Sequence, residues 1–151
     1  MVRALYWFYQ VYLFIFRPVT FGVRVLIAKG DEVLLVKHTY KHGWHLPGGG
    51  IQRNETPADA GRREVREETG LEVAELRLGG VYSTLVGHIS GHEILFLGKC
   101  NASASVGRHD VEIAEAGFFS IQQLPEGLLP GYRRRIEEYF EHQQAPTHGI
   151  W

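Results

Sequence analysis

The chain has 151 residues, 44% hydrophobic and 22% charged, the ordinary balance of one globular domain with a core of its own. Lys plus Arg (16) against Asp plus Glu (17) leaves a formal net charge of -1, which argues against a broad nucleic-acid-binding field but leaves room for a local basic pocket. Cys100 is the single cysteine, so an intrachain disulfide and a thiolate metal cage are both excluded, and a reducing, cytoplasmic setting is expected.

The first element is the unusual one. Ala4 to Phe16 reads ALYWFYQVYLFIF between Arg3 and Arg17. It is shorter than the roughly 20 apolar residues that span a bilayer. Arg17-Pro18-Val19-Thr20 offers no small-residue cleavage site of the kind that follows a signal peptide. Three readings of residues 1–18 stay open: a helix packed on the domain or on the second subunit of a homodimer, an interfacial membrane anchor, or an irregular arm. Packing is favoured over membrane association, because aromatic stripes more often meet protein than lipid.

Beyond Pro18 the pattern turns to strands. Phe21 to Ala28 alternates, Lys29-Gly30-Asp31 is a turn, and Glu32 to Lys37 returns as the second strand of a hairpin. A loop rich in His, Gly and Pro follows from His38 to Gly50. Thr56 to Thr69 carries the punctuation of a helix: Thr56 at the N-cap, Pro57 in the first turn, Asp59 as capping acid and Gly70 at the stop. Extended stretches are expected over Val73–Val86 and Glu93–Lys99, joined by the polar turn His88–His92. A short strand is expected over Ala114–Ser120 and a last helix over Tyr132–His142, with Phe140 on its apolar face. Residues 19–142 thus form a mixed α/β domain, and 143–151 read as a loose tail.

The chemistry concentrates on the helix over 56–69. Glu64, Glu67 and Glu68 stand at i, i+3 and i+4 and share one face. Three carboxylates on one face repel one another unless a cation compensates them. Ala60 and Gly61 beside that face are expected to leave room for a bulky ligand, while Ala58 and Val65 point to the sheet. Oxygen ligands without Cys favour a hard ion, Mg2+ or Mn2+, over zinc. The alternative is a solvated face whose glutamates pair with Arg62, Arg63 and Arg66.

The stretch GGIQRNETPADAGRREVREETGL, Gly49 to Leu71, matches the Nudix box without a departure: Gly49, Glu55, Arg63-Glu64-Val65, Glu67-Glu68 and Gly70-Leu71 fall at the motif's spacing. The chain therefore resembles the Nudix hydrolases. The resemblance implies an α/β/α sandwich around a mixed sheet. It also implies metal-dependent hydrolysis of a diphosphate bond in a nucleoside diphosphate linked to another moiety. Glu64, Glu67 and Glu68 match the metal-binding and catalytic carboxylates, with Glu64 either a ligand or the base. Arg63 matches the arginine that orients a box glutamate, Gly49 and Gly50 the loop that approaches metal and phosphate, and Glu55 the acid that buttresses loop and arginine. A carbonyl at Gly49 is the expected backbone ligand.

A further carboxylate outside the box is expected at Glu112, with Glu115 second. His38, His42 and His45 read as structural or phosphate-contacting, Arg24, Lys41 and Arg53 as positive charge for a diphosphate, and Tyr82, Phe118 and Phe119 as stacking candidates that are more often core. Several subfamily markers are missing. No proline lies between Pro57 and Pro125, no tyrosine between Tyr82 and Tyr132, and the only asparagines are Asn54 and Asn101. A nucleoside diphosphate sugar such as ADP-ribose is the leading substrate. A nucleoside triphosphate pyrophosphohydrolase and a non-catalytic nucleotide-binding domain are the alternatives.

Overall fold

The computed structural model describes residues 19–86, 89–100, 104–107, 111–142 and 147–151. The aromatic segment 1–18, His88 of the expected turn, Asn101 and residues 143–146 of the expected tail lie outside them. Six strands form one mixed sheet: β1 (Val19–Lys29), β2 (Glu32–His38), β3 (Leu76–Val86), β4 (Ile89–Lys99), β5 (Ile113–Ser120) and β6 (Thr147–Ile150). Their spatial order is β5-β2-β1-β4-β3-β6. β1 runs parallel to β4, β3 runs parallel to β6, and the remaining neighbours are antiparallel.

Period-2 alternation sends the side chains of the central strands to two different cores. Val23, Val25, Ile27, Leu34 and Phe96 pack with Ala60 and Val65 of helix α1 (Pro57–Thr69) on one face. Leu26, Leu35, Leu46, Leu95 and Leu97 pack with Tyr132, Ile136 and Tyr139 of helix α2 (Pro130–His142) on the other. The layers are helix, sheet, helix.

α1 starts and stops where its sequence dictates. The Thr56 hydroxyl accepts the Asp59 N–H at 3.2 Å, and Gly70 closes the helix at φ 71°, a conformation that costs glycine nothing. Asp59 Oδ2 in turn accepts the Thr56 hydroxyl at 2.6 Å.

Several boundaries differ from the sequence expectation, with β1 beginning at Val19 rather than Phe21 and β3 at Leu76 rather than Val73. β4 begins at Ile89, inside the stretch read as a turn, because Val19 of β1 and Leu85 of β3 both pair there with Ser90. α2 begins at Pro130, two residues before Tyr132, since proline suits a first helical turn. Thr147–Trp151, read as part of a loose tail, instead adds a strand at the β3 edge. Trp151 donates its N–H to Ser83 O at 3.0 Å and sets its ring against Tyr82 and Tyr132 at 5.6 and 5.3 Å. Four residues are too few to show a period, and the partners of this strand are distant in sequence.

Candidate active site

β1 and β2 pair directly only next to their turn, at Ala28–Val33 and Lys29–Glu32. Farther along they separate, and the segment 45–50 is wedged between them. Val36 exchanges both backbone hydrogen bonds with His45, while Val25 N donates to Pro47 O and Val23 N to Gly49 O, each at 2.9 Å. The loop is thus stitched to both strands. Glycine is required within it: Gly48 lies at φ 144°, and a Cβ there would collide with the Val23 carbonyl. Arg24 Nη1 donates to Gly48 O at 2.6 Å and so fixes the loop from the β1 side.

α1 brings its acidic face to this loop. Gly48 N donates to Glu68 Oε2 at 2.9 Å, and Glu64 lies so close to Gly49 that a Cβ there would stand 2.6 Å from Glu64 Oε1. Arg63 ties the rest together. Its Nε and Nη2 grip the Glu55 carboxylate at 2.8 and 3.0 Å, Nη2 also reaches Gly50 O at 3.0 Å, and Nη1 donates to Glu64 Oε1 at 2.7 Å and Glu67 Oε2 at 3.2 Å. Glu112 arrives from the opposite side. Its carbonyl accepts the Thr39 N–H at 2.9 Å, which anchors it where β5 begins beside the end of β2.

Together Glu64, Glu67, Glu68, Glu112, Lys41 and Gly48–Gly50 line a cleft of about 260 Å³. A wider open groove of about 930 Å³ runs past Leu71, Arg77 and Cys100, but it gathers no comparable set of carboxylates.

The electrostatics of the cleft centre on Glu68. Burial pushes its carboxyl up to about 7, helped by the charge of Glu64 and opposed by the Gly48 N–H. A buried carboxylate in that position favours a bound cation, and the carboxylate-rich lining of the cleft suits a hard divalent ion. As they stand, no three His, Cys, Asp or Glu side chains among the described residues are already gathered round one point. Arg63 and the Gly48 N–H hold them instead. A divalent ion thus fits this lining by its chemistry.

The NUDIX domain model matches residues 16–141. The chain belongs to the Nudix hydrolase family. It is similar to an ADP-ribose pyrophosphatase of Methanocaldococcus jannaschii, 32% identical over 117 residues that cover 76% of this chain and 69% of that protein. A NUDIX hydrolase of Nitrosomonas europaea has the same fold, with TM-score 0.73, 24% identity, and coverage of 85% of this chain and 93% of that one. A MutT protein from Methanosarcina mazei superposes with TM-score 0.69 at 26% identity, over 85% of this chain and 97% of that one. This Nudix chain is a pyrophosphohydrolase, in a family that uses divalent metals and acts on small nucleotides. No helix among its described residues is long and apolar enough to cross a membrane.

The other expected residues of this Nudix domain divide sharply. His38 and Tyr40 line the cleft with the carboxylates. His38 Nε2 stands 3.5 Å from Glu68 Oε1, but burial and the charge of Lys41 hold its imidazole down to about 4, so at neutral pH the pair is not an ion pair. His45 is structural. Its Nε2–H donates to His42 O at 3.0 Å, which leaves Nδ1 to accept the Tyr132 hydroxyl at 3.4 Å. His42 itself is exposed, as is Arg53. Glu115, the second-choice carboxylate, points away from the cleft and pairs with Lys37 at 3.1 Å.

Tyr82, Phe118 and Phe119 are no stacking platform. Tyr82 is buried beneath the Arg135 guanidinium at 4.2 Å, Phe119 sits against Trp44, and Phe118 packs on the α1-side core. Ala60 and Gly61 leave no space for a ligand either. Both are buried, and a Cβ on Gly61 would meet Val25 at 3.1 Å, so their smallness lets α1 sit close to the sheet. The Gly49 carbonyl already accepts the Val23 N–H and has only its second lone pair to offer. Gly48 was missed as the residue that fixes Glu68. The run of three glycines was its only signal in the sequence.

Proposed function

We propose that the chain hydrolyses a phosphoanhydride bond in a nucleoside diphosphate joined to a second group, with a nucleoside diphosphate sugar such as ADP-ribose as substrate and Mg2+ or Mn2+ as the ion. The observation that carries this reading is the convergence of Glu64, Glu67, Glu68 and Glu112 on one cleft beside a glycine loop and Lys41. The similarity to a relative named ADP-ribose pyrophosphatase supports the choice of substrate class.

In this reading Glu67 and Glu68 are the principal metal ligands, Glu112 completes the set from across the cleft, and the Gly49 carbonyl contributes its free lone pair. A divalent ion bound there supplies a water of lowered pKa and neutralises charge at the phosphorus under attack. Glu64 is either a further ligand or the base that takes the water's proton. Arg63 organises the helix face, its Nη1 donating to both Glu64 and Glu67. Gly49 and Gly50 let a diphosphate approach the backbone without a side chain in the way, and Lys41 faces its negative charge.

The test is hydrolysis of ADP-ribose, a second nucleoside diphosphate sugar and a nucleoside triphosphate, each with added Mg2+ and with products resolved by chromatography. The expected products are AMP and ribose 5-phosphate from ADP-ribose. Turnover of the triphosphate alone would replace this substrate class by the triphosphate reading. Tight nucleotide binding without turnover would make the domain a non-catalytic binder.

A further inference from the structure

The sheet face that carries α1 is covered only in part. Strand register lays its side chains out in rows. Val19 stands beside Ser90 and Leu85; Phe21 beside His92, Ser83 and Ile150; Val23 beside Ile94, Val81 and His148; Val25 beside Phe96 and Leu78. α1 closes over the Val25 end of this face, where Gly61 meets Val25 and Leu76. The first rows have no cover among the described residues. Val19 is 57% exposed, Phe21 56%, Leu85 65% and Ile150 60%, and Val81 and Leu78 follow at 40% each. Six of the nine large hydrophobics that are exposed among the described residues therefore share one face of one sheet. Scattered apolar residues on a surface need no explanation, whereas a contiguous patch of this kind marks a contact.

An apolar stretch of the sequence directly precedes β1. Residues 4–16, ALYWFYQVYLFIF, lie outside the described residues and lead through Arg17 and Pro18 into Val19, the first residue of the bare face. Three rows of a strand extend about 13 Å and four strands about 14 Å across. Thirteen residues reach about 20 Å as a helix and more in an extended form, so the segment is long enough for the patch in either conformation. Its tether to β1 gives it a local concentration that a separate molecule lacks, and docking costs no loss of free translation. That favours an occupant in the same chain over a second copy.

We propose that the uncovered face of β1, β4, β3 and β6 is the seat of the chain's own residues 4–16, which close the α1-side core as its second cover.

Hydrogen exchange of the full chain, read by mass spectrometry, tests this. Peptides within residues 4–16 should be protected, equally so at high and low protein concentration and without lipid. Leu85→Asp and Ile150→Asp, each made separately, should raise their exchange by about tenfold or more, while α1 peptides keep their protection and report an intact fold. Both positions are exposed in the described structure, so on a bare face neither substitution would alter exchange at residues 4–16. The proposal is overturned if these peptides exchange at the unprotected rate. It is equally overturned if their protection disappears on dilution, which assigns the face to a second copy. Protection that arises only with phosphatidylcholine–phosphatidylglycerol vesicles would assign the segment to a membrane surface.

Discussion

Glu68 meets two opposing demands at one carboxyl group. Its burial favours the protonated form, with the pKa raised to about 7, whereas metal binding needs the anion. In the ion-free protein the folded state therefore binds this proton more tightly than the unfolded chain does. That contribution to stability is complete below the ordinary glutamate range and is lost as pH rises through about 7. Divalent-ion affinity should move the other way, falling about tenfold per pH unit as the pH drops below 7. Calorimetric Mn2+ titrations at pH 6 and pH 8 measure this, and equal affinities would contradict the assignment of Glu68 as a ligand.

Charge removal separates catalysis from folding at the same position. Glu68→Gln keeps the shape and an acceptor for the Gly48 N–H but abolishes a buried charge. At pH 8 without ions it should leave Tm unchanged or higher, while kcat falls by about two orders of magnitude or more. Glu67→Gln, at a more exposed position, should lose activity on the same scale with Tm unmoved. Near-normal turnover in either variant at saturating Mg2+ would remove that residue from the proposed ligand set.

Among the elements, α1 was the most legible in the sequence because everything that specifies it is local. Thr56, Pro57 and Gly70 punctuate it, and the spacing of Val65 against Glu64, Glu67 and Glu68 separates its apolar and acidic faces. The meeting of the four carboxylates was only half legible. The box fixes three on one helix, but Glu112 comes within reach through the pairing of β2 with β5, a contact between residues far apart in the chain. β6 was not legible at all. Its identity rests on the β3 edge and on the Trp151 ring, which fills the space left by Gly131. Trp151→Ala should therefore destabilise the fold by about 1–3 kcal/mol, seen as a lower Tm in calorimetry. Hydrolysis measured well below the transition should persist, because no residue of β6 lines the carboxylate cleft. Loss of activity with an unchanged Tm would place β6 in the site instead.

For the molecule as a whole, ion binding and folding are linked. A ligand held only by the folded state at a hundredfold excess over its Kd adds about 2.7 kcal/mol. In a domain of this size that raises Tm by roughly 5–10 °C. Thermal denaturation with Mg2+ or Mn2+ against chelator should show the rise in the parent chain and its loss in Glu68→Gln. An equal rise in the variant would place the ion elsewhere.

The wedge between β1 and β2 also dictates which wall of the cleft is able to travel. Residues 45–50 stand in for the missing strand–strand pairs, so shifting them would mean unzipping the middle of the sheet. That wall is an anvil. Any tightening around a bound nucleotide has to be delivered by the facing lip, where Tyr40, Lys41 and Glu112 sit exposed beyond the last paired residues of β2 and β5.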